Sequence, residues 1–151
     1  MTLEQAVELV DKTAKENVHE VRYHETMAIN EAARQGDIYI MRVEDNYAHG
    51  KIWKKRQIVD GNTQGSRHVI EAGPMVFAPN FDAAPSDLFA ETANKLNVSQ
   101  SSLINALYGP SIKSPERFTI THPEHAHESL PAGCYITWSQ LDPRTMQRVK
   151  D

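Results

Sequence analysis

Cysteine is nearly absent. The single Cys134 in 151 residues excludes an intramolecular disulfide and any zinc ribbon or finger built on paired cysteines. Long hydrophobic runs are missing too, since no stretch approaches the roughly 18–20 apolar residues of a membrane span. The opening MTLEQAVELVDKTAKENVHE carries acidic side chains and no continuous apolar core, so no export signal is expected and a cytoplasmic setting is. Basic charge is not in excess. Sixteen Lys+Arg against twenty Asp+Glu give a formal charge of −4, which lacks the basic footprint of a general nucleic-acid binder. The one dense basic run, KIWKKR at 51–56, is interrupted by Ile52 and Trp53 and reads as a solvated strand face. No GxSxG elbow, P-loop or HExxH motif occurs. What remains is 40% apolar and 24% charged, the make-up of one ordinary globular domain.

The hydrophobic period divides the chain. Leu3, Ala6, Val7, Val10 and Ala14 form a helical stripe, and Thr2 with Gln5 fits a capping box. A shorter helix is predicted over 28–34, stopped by Gly36, so that residues 1–35 form a helical arm. From Gly36 the period becomes two. Strands are predicted at 37–43, 51–59, 67–71, 74–78, 117–121, 134–140 and 145–150, with turns at 60–62 and 141–144, the latter closing a hairpin. The expectation is an α+β, mainly β fold: a small antiparallel sandwich or barrel over 36–151 carrying an N-terminal helix. A helical hairpin is inserted at 86–108, its helices split by Asn97 and Val98. Ile38, Ile40, Trp53, Val69, Phe77, Phe118, Ile120, Tyr135 and Ile136 are the expected core.

Three groups of residues carry chemistry. The insertion is similar to a helix-turn-helix: Ala93 is the small residue, Asn97 suits a left-handed turn, and Ser99 caps the second helix. Gln100, Ser101 and Asn105 would then face base edges in DNA, but that helix has no Lys or Arg for phosphates. The segment THPEHAHESLPAG at 121–133 gathers His122, His125 and His127; in an extended chain His125 and His127 project from one face, and His68 could join them. Imidazoles of this kind suit a transition metal such as zinc. The HxH-with-Glu arrangement departs from a cupin pattern because Glu128 directly follows His127. Third, the loop GNTQGSRH at 61–68 could present Gly65, Arg67 and His68 to a ligand. Cys134 reads as a buried small hydrophobe.

Three fragments resemble an uncharacterised family of small bacterial and phage proteins. AARQGDIYIMRV at 32–43 is similar to its QGDV strand, and GNTQGSRHVIEAG at 61–73 to its G-x-x-x-G-x-x-H loop, with Ser66 where a first histidine is usual. HPEHAHESLPAGCY at 122–135 is similar to its HPEH…LPxGxY closing segment. The resemblance implies a compact β-rich domain of bacterial, phage or mobile-element origin whose features meet at His68 and the HPEH segment, and it implies no activity. The residues therefore favour a non-catalytic cytosolic binding or accessory domain, with a His-dependent metal protein or metalloenzyme and a helix-turn-helix DNA binder as rivals. The ligand and partner are open, and a homo-oligomer is compatible with each reading.

Overall fold

The computed structural model describes residues 20–149 together with Leu3 and Gln5, both helical. The rest of the predicted N-terminal helix lies outside the described residues. The fold is α+β and mainly β, in three layers. A four-stranded sheet runs in the order β1 (Val21–Tyr23), β8 (His127–Leu130), β7 (Phe118–Thr121) and β4 (Val69–Ile70). The central five-stranded sheet runs in the order β2 (Ala32–Gln35), β3 (Ile38–Val43), β9 (Gly133–Ser139), β6 (Tyr108–Ser114) and β5 (Met75–Phe77). A short hairpin of β10 (Leu141–Asp142) and β11 (Gln147–Arg148) follows. The third layer is the insertion, α1 (Ala90–Leu96) and α2 (Gln100–Leu107). Neither sheet closes into a barrel. All strand pairings are antiparallel except β1 with β8.

Why the central strands read as continuous apolar runs is now plain. Ile38 and Ile40 of β3 and Tyr135 of β9 face the first sheet, where they pack with Ile70, Ile120 and Leu130. The alternate residues Val43, Cys134 and Ile136 face the other way, and Trp138 continues that face beneath Phe89, Ala93, Leu103 and Leu107 of the helices. A sheet covered on both faces needs apolar residues at both parities. The expected core is buried as predicted, apart from Val69 and Trp53, which are partly buried.

Four expectations are corrected. Residues 28–34 do not form a helix: Asn30 has a φ of 73° and 32–35 is strand β2, paired with β3 from Gln35↔Ile38 outward. Cross-strand pairing overrides the helical preference of Ala, Glu and Arg here, and Gly36, with a φ of 58°, opens the two-residue hairpin loop instead of stopping a helix. The stretch 51–59 makes only two isolated bridges, Ile52↔Phe77 and Gln57↔Val69. Arg56 interrupts it by donating to the carbonyls of Ile70, Glu71 and Pro74, so a side chain rather than a ladder pins the segment. Strand β6 was hidden by Gly109 and Pro110, which sit at a bulge between Tyr108 and Ser111, where a missing N–H is tolerated. The last hairpin is shifted from its expected position: Leu141 and Asp142 belong to a strand, so the loop is 143–146 rather than 141–144.

Candidate functional site

Three of the four candidate metal ligands converge. The rings of His68 and His122 lie 4.4 Å apart between centroids, and those of His122 and His125 lie 4.6 Å apart, so the imidazoles form a stack running from the interior outward. His68 is fully buried, His122 nearly so, and His125 half-buried. His127 does not sit beside His125 on one strand face. Residues 123–125 bend, because the Nδ1 of His122 accepts the backbone N–H groups of Glu124 (3.0 Å) and His125 (3.1 Å), and β8 starts only at His127, in register with Val21. The close approach of His125 also explains Gly36, where a Cβ would come within 2.6 Å of that ring.

The protonation pattern follows from partners. The amide of Gln35 donates to the carbonyls of Ile120 and Ala126, each at 2.9 Å, which turns its Oε1 toward His68. His68 Nδ1, 2.9 Å from that oxygen, must therefore donate, while its Nε2 lies 3.1 Å from Asp37 Oδ1. Burial alone would push the Asp37 carboxyl up, but the hydrogen bond and charge of His68 together pull it below the ordinary 3.8. Ionised Asp37 and the His68 ring thus form a buried hydrogen-bonded pair. His122 is the opposite case. Burial pushes its pKa below the ordinary 6.5, against the Gly65 hydrogen bond, and the ring is neutral. Its Nε2 donates to the Gly65 carbonyl at 3.0 Å.

With both nitrogens of His68 and His122 engaged, neither ring presents a free lone pair. Among the described residues, no group of three or more His, Cys, Asp or Glu side chains is arranged to hold a metal ion. The network instead ties the β2–β3 turn to the 61–68 loop and to the β7–β8 connection across the two sheets. Gly65 takes part through its carbonyl, and Arg67 is exposed at the surface.

The candidate DNA-reading helix packs Leu103 and Leu107 into the helical layer. Asn97 is left-handed as expected (φ 55°, ψ 46°), and Ser99 Oγ accepts the Ser102 N–H. Gln100 donates its amide to the Ser86 carbonyl, whereas Ser101 and Asn105 are exposed. Burial and the neighbouring Asp45 carboxylate push the Cys134 thiol up to about 11, the state of an inert core residue.

A second feature was invisible in the sequence. Between the insertion and the outer face of the central sheet lies a cleft of about 420 Å³ lined by Tyr39, Phe89, Thr92, Lys95, Trp138 and Leu141, among others. Its floor is the stacked pair of Tyr39 and Trp138, with centroids 5.4 Å apart and planes 12° from parallel, and Phe89 meets Trp138 edge-on. The profile of a domain of unknown function, DUF8820, matches residues 34–140. The chain belongs to that family. No curated protein and no solved structure matches it. The DUF8820 segment contains the whole histidine network and nearly the whole cleft, but not β1 or β11. No helix among the described residues is long and apolar enough to cross a membrane.

Sequence reasoning missed the cleft because its walls come from distant parts of the chain, 39, 88–96 and 138–143. The one available signal was the pair of large aromatic residues Tyr39 and Trp138, on the strand face opposite Ile38 and Ile40. It also missed Gln35 and Asp37, although both stand in the quoted RQGD fragment.

Proposed function

We propose that the chain is a non-catalytic, cytosolic binding domain that takes up a small, largely apolar molecule in the cleft between α1 and the central sheet. The observation that carries this reading is the preformed cleft of about 420 Å³ floored by Tyr39 and Trp138. Its size falls within the roughly 300–1,000 Å³ of small-molecule sites, and its lining has the usual make-up of apolar and aromatic walls with few polar groups. Thr92 and Gln140 are the polar side chains that would orient a ligand. The histidine network supports a positional role. Asp37 lies in the β2–β3 turn, bonded to His68, and its carbonyl accepts the Gln140 N–H at 2.8 Å, so the network braces one end of the cleft.

Titration with N-phenylnaphthylamine, a neutral aromatic probe that brightens in apolar surroundings, tests the reading. Saturable brightening is expected with the native chain, and its loss with Thr92→Trp, whose indole would fill the cleft from α1. Absence of binding, or binding unchanged by T92W, overturns it.

A further inference from the structure

We infer that the molecule taken up in the cleft is an aromatic anion, its ring packed against Tyr39 and Trp138 with its carboxylate or similar group at Lys95. The inference rests on the cleft being the binding site. Tyr39 and Trp138, stacked on one another, give the floor an aromatic make-up, which favours an aromatic partner packed in offset or edge-to-face contact. Cations stand at both ends. Lys95 lines the α1 wall, and its only ion-pair partner among the described residues is Glu91, at 3.0 Å; both side chains are well exposed, 73% and 83%. Such an exposed pair is weak and exchanges readily for a ligand anion. At the other end, the Arg34 guanidinium lies 5.2 Å from the Tyr39 ring centre and donates to Gln140 Oε1 at 2.9 Å, so its charge rests on two residues of the lining.

The nearby acids do not cancel this field. Asp37 is turned inward onto His68, and Asp142 is held by Arg144. Glu91, one turn before Lys95 on α1, is already matched by it. A neutral aromatic would use the floor but leave Lys95 to Glu91. An anion uses both.

The test compares two probes with the same ring system on the full chain at low salt: N-phenylnaphthylamine, which is neutral, and anilinonaphthalene sulfonate, which adds an anion. The sulfonate is expected to bind about fivefold tighter, the scale of one exposed ion pair. Lys95→Gln should erase that advantage while leaving the neutral probe unchanged, and Lys95→Arg should restore it. Raised salt should erase it too. Equal affinity for both probes, or an advantage indifferent to Lys95→Gln, overturns the anion and leaves the cleft standing. Failure of both probes to bind overturns cleft and anion together. A dimer in solution that T92W converts to monomer would make the cleft an interface between copies, which also overturns the proposal.

Discussion

Two buried polar clusters lie within the same sandwich, and they are built to different standards. In the first, Gln35, Asp37, His68 and His122 leave no buried side-chain nitrogen or oxygen without a hydrogen bond. In the second, Glu128 of β8 is almost wholly buried, yet its Oε2 has no hydrogen bond, and neither does the His24 Nε2 that faces it at 3.5 Å. Arg22, the other partner, stands 3.6 Å away and is mostly exposed. Burial raises the Glu128 carboxyl above its ordinary 4.5, against the pull of His24 and Arg22. The difference tracks position. The first cluster lies wholly inside the DUF8820 segment, whereas the second borrows Arg22 and His24 from β1 and the residue after it, outside that segment. A fully satisfied network fixes geometry; a half-satisfied one leaves a charge partly unpaid by its surroundings.

Removing a member of the first cluster should have the largest effect. His68→Ala strands the Asp37 carboxylate and the Gln35 oxygen in the interior, and breaking a buried pair in this way costs about 3–5 kcal/mol. Urea denaturation should show the loss, with Asp37→Asn markedly milder because an amide can still meet the ring. A His68→Ala protein as stable as the native one would show the network to be decorative.

Acid should act next, and with a definite sign. His122 has a folded pKa below its ordinary 6.5, so between those values the unfolded chain binds more protons than the folded one. Stability is therefore full above about 6.5 and falls as the pH drops from there toward the folded value. Asp37 adds a second window: its contribution is present above 3.8 and is lost as the pH falls through its lowered folded value. His122→Gln should abolish the first decline in a pH series of denaturation curves and keep the second. A first decline that persists in H122Q would assign it to another group.

Much of this arrangement was legible in the sequence, for identifiable reasons. Ile38, Ile40, Tyr135 and Ile136 were found because a strand covered on both faces is apolar at every position, and Asn97 and Ser99 because left-handed turns and helix caps select few residues. Of the four histidines named as candidate ligands, His68, His122 and His125 lie together in the fold, and His127 begins β8 instead. Their chemistry was not legible, since it depends on what each nitrogen meets: a glutamine from a strand that read as helix, and backbone N–H groups that only a bend at Pro123 presents. Strand β8 was missed because HESL looks polar, although its Glu128 is buried. The cleft was missed because no local pattern encodes a wall shared by α1 and β9.

The smallest effect sharpens the contrast most, because its sign is reversed. Glu128→Gln replaces the buried carboxylate with a neutral side chain of the same shape and mimics its protonated form. Arg22 is exposed enough to be solvated without its partner, so the change should alter stability at neutral pH by less than about 1 kcal/mol, with a small gain expected. A carboxyl raised above 4.5 in the folded state binds its proton earlier there than in the unfolded chain. Its contribution is thus present below 4.5 and lost as the pH rises through the folded value, so mild acid stabilises through Glu128 while it destabilises through His122. The native chain should therefore lose less stability on mild acidification than E128Q, measured by denaturation at matched pH steps. A loss of several kcal/mol in E128Q at neutral pH would mean that the second cluster is as fully engaged as the first, and the contrast between them would fail.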